Sequence, residues 1–162
     1  MFVTTFFCLV VFQCEVRATY SKLYGIATTN ENDFILLLGI ISVFSLPCLA
    51  YFDTHTYTTM HSVFCVFFFV GCGFYLFLAL GLLNKYKKSY PEEQWNAIDR
   101  ANHFRWVMMG SVVVYYIFKW LGPDTHSAFY EWLLVFMYLA AASMLALTNT
   151  YLETIHETTL TK

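Results

Sequence analysis

Four apolar runs, Phe34 to Phe52, His61 to Leu83, Phe104 to Leu121 and Phe129 to Thr148, fill about half of this 162-residue chain. Each holds about 18 to 23 residues, and a helix rising about 1.5 Å per residue over that length crosses a hydrocarbon core of roughly 30 Å. Hydrocarbon offers main-chain N–H and C=O groups no partner, so a spanning run must bond its own backbone as a helix. The expected fold is therefore all-α, a polytopic transmembrane helix bundle with one domain over residues 1–162. Composition agrees: about a quarter of a soluble domain is charged, whereas only 12% of this chain is, against 59% hydrophobic residues. The charges lie almost wholly between the runs. A net charge of −2 gives no electrostatic basis for nucleic-acid binding.

A further apolar run opens the chain, from Met1 to Cys14, followed by Glu15, Val16 and Arg17. A signal peptide begins with positive charge and ends at a small-residue cleavage site; no Lys or Arg precedes Arg17, so that reading is set aside. Fourteen residues reach only about 21 Å, so a spanning helix here continues toward Tyr20. The expectation is four full spans plus a short fifth over about residues 2–20.

Lys and Arg orient the bundle. Arg17 and Lys22 follow the first run, Lys85, Lys87, Lys88, Arg100 and Arg105 lie in the loop 84–105, and Lys162 lies in the tail. The loops from Asp53 to Met60 and from Gly122 to Ala128 hold none, and only Lys119 falls on that second side. Cytoplasmic loops collect Lys and Arg, which places the 84–105 loop and the C-terminus in the cytosol and the N-terminus in the lumen or outside.

Cys8, Cys14, Cys48, Cys65 and Cys72 lie inside or at the ends of apolar runs, where thiols act as small packing groups. No C-x-x-C or Cys/His ligand spacing occurs, so neither a disulfide framework nor structural zinc is expected. Small residues permit close helix approach in lipid, which points to Gly71, Gly73, Ala79 and Gly81, and to Ala140, Ala141, Ala142, Ser143 and Ala146, as bundle interior. Phe67, Phe68 and Phe69 are expected to face lipid, and Pro47 to kink or end its span a turn before the outer edge.

Ionisable groups at a membrane boundary are costly and so are candidates for function. Asp53, His55, His61, Asp124, His126 and Glu131, with Lys119 just below them, form the one polar constellation, on the outer side. One reading is a shared pocket for a lipid head group or a metal. The other is loop solvation, with Asp124 and Glu131 complementing the positive N-terminus of the last helix and Glu131 pairing with Lys119. The second is preferred and no metal is assigned, because no pair has the i, i+4 spacing that puts two ligands on one helical face. On the cytoplasmic side Lys85, Lys87 and Lys88, interleaved with Tyr86 and Tyr90, serve topology or attract anionic lipid at roughly 1 kcal/mol per cation. Tyr90 to Arg105 reads as a short amphipathic helix lying on the membrane, with Trp95 and Trp106 as interface anchors.

Catalytic signatures are missing: there is no G-x-S-x-G, H-E-x-x-H or phosphate loop, and no H-x-x-x-H on a late span. No catalytic residue and no cofactor are assigned.

Tyr51-Phe52-Asp53, then Met60-His61-Ser62-Val63 opening a Phe- and Gly-rich span that ends in a basic, Tyr-containing turn, resembles the middle of the FRAG/DRAM/SFK family of multispan membrane proteins, with its CWH-type N-terminal domain. Phe129-Tyr130-Glu131-Trp132 is similar to the family's Glu-Trp at the head of the last span. The resemblance covers the chain from Phe34 on. That family includes autophagy modulators, phosphatidylinositol-kinase recruiting proteins and the post-GPI-attachment lipid-remodelling factor; the long charged loop and short tail resemble the last branch most. Relatives usually have six spans, and Met1 corresponds to a position inside their second helix, so a partner helix or larger membrane complex is expected to complete the bundle.

The resemblance implies a non-catalytic integral membrane protein that assists lipid handling or GPI-anchor remodelling in the endomembrane system, with ER or Golgi favoured over lysosome or plasma membrane. The alternatives are an accessory structural subunit of a larger membrane complex, for example one for lipid transfer, and a lipid-modifying enzyme using His61, Asp53 and Glu131. Expected partners are membrane lipids and a protein helix or complex.

Overall fold

The computed structural model describes residues 29–53, 55–121 and 129–145. The short N-terminal run, Cys8, Cys14, Asp124, His126, Ala146 and the tail lie outside them. Every element among the described residues is helical: α1 Thr29–Tyr51, α2 Thr58–Lys85, two 3-10 turns at Lys87–Ser89 and Glu92–Gln94, α3 Trp95–Leu121, and α4 Phe129–Leu145. The chain divides within α2 into two units, Met1–Tyr75 and Leu76–Lys162.

Each helix carries one buried stripe at the 3.6-residue period. In the first unit Asn32, Ile35, Ser42 and Val43 are buried on α1, and Cys65, Phe69 and Cys72 on α2. In the second, α2 buries Leu76, Ala79, Leu80 and Leu83, α3 buries Ile98, Ala101, Met108, Val112 and Tyr115, and α4 buries Leu134, Tyr138, Ala141 and Leu145. The opposite faces are no more polar. Phe34, Phe44, Phe67, Phe74, Val113 and Phe136 are exposed, a distribution that water penalises and lipid does not. Two helices, Asn30–Tyr51 and Thr58–Lys85, are long and apolar enough to cross a membrane. α3 is as long, but Asp99, Arg100, His103 and Arg105 crowd its first turns. The described part of the last helix, Phe129–Leu145, is shorter.

Helix contact in the first unit rests on Gly71. A Cβ there would lie 2.7 Å from Ser42 Oγ, so only the missing side chain lets the helices approach this closely. Ser42 and Ser45 are buried yet satisfied, donating to Leu38 O at 2.8 Å and Ile41 O at 2.7 Å on their own helix. Such back-bonding spares a buried hydroxyl an external partner.

Three expectations change. Phe69 is 2% exposed, in the core rather than facing lipid, while Phe67 is exposed; the stripe through Cys65, Phe69, Cys72 and Leu76 turns Phe69 inward. Of the two outcomes expected at Pro47, a kink or an end, the end does not occur: the helix runs on to Tyr51, with Phe52 N–H donating to Cys48 O at 2.9 Å beyond the proline. No separate amphipathic helix covers Tyr90 to Arg105: after two 3-10 turns the segment from Trp95 is the first part of α3 itself. Among the described residues Cys48, Cys65 and Cys72 form no disulfide, and the latter two are buried.

Candidate functional site

At the start of α2 the chain turns a tight corner built from the residues of the first motif. The last carbonyls of a helix lack intrahelical donors. At the end of α1 one of them is met by a side chain: His61 Nδ1 lies 2.7 Å from Phe52 O. A carbonyl only accepts, so Nδ1 carries a proton in this contact. Asp53 Oδ1 accepts from the main-chain N–H of His55 at 2.9 Å and of Thr56 at 2.8 Å. These bonds, the Thr56 main-chain one foremost, hold its carboxyl below the usual value, and the nearby His55 adds to them. Main-chain bonds from Tyr57 to Asp53 O and from His61 to Tyr57 O close the turn. The Phe52 ring stacks on Phe64 at 5.5 Å and meets Tyr57 edge-on at 5.5 Å.

Asp53, His55 and His61 thus share one corner of the first unit. Lys119 and Glu131 belong to the second, where Lys119 is exposed and Glu131 is half-buried in the first turn of α4, a place that favours negative charge. No ion pair joins Lys119 and Glu131. Their neighbours Phe118 and Tyr130 hold α3 to α4 instead, stacked 4.2 Å apart. Asp124 and His126 lie outside the described residues. Among the described residues no three His, Cys, Asp or Glu side chains converge as metal ligands.

At the other end of α2 the basic loop is locked by its own side chains. Lys87 Nζ lies 2.7 Å from both carboxylate oxygens of Asp99 and 5.3 Å from the centre of the Trp95 ring. The Trp95 indole N–H donates to Tyr90 O at 3.1 Å. Tyr90 is buried, and burial pushes its phenol up. Trp95 thus braces the loop, and Trp106 is 60% exposed. Of the three lysines, Lys87 is committed to Asp99, while Lys85 and Lys88 are exposed.

One residue counted in the sequence only as a topology charge stands out in the fold. Arg105 turns in against α2, where Gly81 makes room: a Cβ at that glycine would overlap Arg105 Nη1. The guanidinium lies 4.8 Å from the Phe77 ring centre and 5.4 Å from that of Trp106, and those two rings meet edge-on at 4.9 Å. Its position as second residue of an apolar run was the available signal.

Among the described residues every element is helical, and helices with small or apolar inward stripes and equally apolar outward faces fit an integral membrane protein. The sequence pattern of the Frag1/DRAM/Sfk1/Cwh43P N-terminal domain matches residues 1–147, and the chain belongs to that family. The match extends to residue 1, well before Phe34, where the resemblance of individual motifs begins. No individual curated protein and no solved structure matches the chain at a significant level.

Proposed function

We propose that this chain is a non-catalytic integral membrane protein that assists lipid handling, nearest to the branch of its family that serves GPI-anchor lipid remodelling and traffic in the ER or Golgi. Family membership supports the membrane setting. The observation that carries the non-catalytic part is the use of ionisable residues as structure. Asp53 is engaged by two main-chain N–H groups and His61 by the Phe52 carbonyl, an arrangement that shapes a turn rather than poising a nucleophile beside a base.

The test is deletion of the gene followed by mass spectrometry of GPI-anchor acyl chains and of total lipids, with re-expression of wild type and of the D53A, H61A and E131A variants. Altered anchor lipids restored by wild type are expected; unchanged lipids in the deleted cells would sink the proposal. Loss of rescue in a variant that still folds would instead assign a site. The second reading, an accessory subunit of a larger membrane complex, is favoured by α1, whose apolar window is 28% buried against 50% for α2. It predicts a stoichiometric partner on purification in mild detergent.

A further inference from the structure

We propose that Arg105 binds the phosphate of an anionic phospholipid at the Lys85 end of α2. This deepens the lipid-handling reading and rests on it.

Arg105 is a partly buried cation that meets no counter-ion among the described residues. Of the five N–H groups a guanidinium offers, one on Nη1 reaches Phe77 O at 3.5 Å, the long limit of a hydrogen bond. Nε is buried and meets no acceptor. Among the described residues no carboxylate pairs with this side chain, although Asp99 lies only six residues earlier on the same helix; Asp99 is held by Lys87. A charge in an apolar setting persists only where something compensates it. The two aromatic faces supply part of that and fix the plane of the fork.

Depth and shape select a phospholipid. Gly81 lies about 6 Å inside the Lys85 end of α2 at about 1.5 Å per residue, just under the head-group layer, where arginine draws phosphate and water inward. The planar guanidinium matches two phosphate oxygens at once. Trp106 is exposed beside it, opening the place toward lipid. Exposed Lys85 and Lys88 raise the local concentration of anionic lipid.

The experiment uses the full chain in phosphatidylcholine vesicles into which brominated-chain phosphatidylglycerol is titrated, read by quenching of tryptophan emission, with helicity checked by circular dichroism. Wild type is expected to show a saturable phase favouring phosphatidylglycerol. R105Q should weaken it about tenfold, the scale of one charge-assisted hydrogen bond; R105K should weaken it less. G81A, which favours helix formation yet displaces the guanidinium, should weaken it like R105Q and keeps the test open if R105Q does not fold. An unchanged phase in R105Q and G81A overturns the proposal. So does loss of the phase only on removing Lys85 and Lys88, or its competition by inorganic phosphate, which marks a soluble-anion site. Absence of the phase in wild type, with a copurifying protein that R105Q loses, overturns it in favour of a carboxylate on a partner helix. Binding with normal GPI-anchor lipids in deleted cells would sink only the proposed function; altered lipids without the binding phase would sink only this site.

Discussion

His61 Nδ1 donates to the main-chain oxygen of Phe52 across a 2.7 Å contact, so the first turn of α2 closes the last turn of α1. The carbonyl at a helix end needs a donor, and here the donor comes from nine residues further along the chain. The corner is held by side chain as well as backbone.

Replacing His61 separates that role from chemistry. H61A should lower stability by about 1 kcal/mol, the net worth of a neutral hydrogen bond. H61N, whose amide nitrogen can occupy the Nδ1 position, should recover most of it. Thermal unfolding in detergent measures both; equal stability of H61A and wild type would remove the bond from the structural account.

Asp53 carries a pH dependence of known sign. Its folded-state value is depressed by the Thr56 and His55 bonds, so its contribution to stability is present above its unfolded value, near the ordinary 3.8, and is lost as pH falls below that through the folded value. Wild type and D53A should differ at neutral pH and converge as the medium is acidified below about pH 4. D53N, which keeps the accepting oxygen, should lie between them. A difference that grows toward low pH would contradict the assignment.

Gly71 and Ser42 should behave as a coupled pair. G71A places a methyl 2.7 Å from Ser42 Oγ but 3.8 Å from Ser42 Cβ. The single substitution should cost about 1–3 kcal/mol from overpacking, whereas S42A alone should cost little and should restore G71A. The four-member cycle, followed by unfolding, should show a coupling energy above about 0.5 kcal/mol; additive effects would mean that the helices part freely.

Lys87 and Asp99 should contribute little to global stability. Their side chains are 26% and 45% exposed, and pairs in that setting are worth about 0–1 kcal/mol and fade with salt. K87M and D99N should therefore have similar small effects and combine without adding. Their clearer signature should be faster proteolysis between Tyr86 and Trp95, since the pair pins that loop to α3.

The long helices were legible because hydrocarbon tolerates no unpaired backbone: an apolar run of the length of Asn30–Tyr51 or Thr58–Lys85 has one regular structure open to it. The motif residues Phe52, Asp53 and His61 were legible as a group because short motifs close one apolar run and open the next. Their roles were not, because a histidine that caps and one that binds a ligand look alike in one dimension. Local sequence likewise placed Glu131 at the head of a helix but suggested an ion pair with Lys119, where stacking of Phe118 on Tyr130 joins the helices instead.

What the chain's own order determined is the helical, membrane-embedded character of the protein, since burial of apolar runs is a property each segment carries alone. Which way each side chain turns was decided only by tertiary structure. Phe69 goes inward because its stripe packs, Lys87 is claimed by Asp99, and Arg105 folds against Gly81 because a residue more than twenty positions earlier has no side chain. Each of these depends on a neighbour that only packing brings near, and no local pattern encodes it.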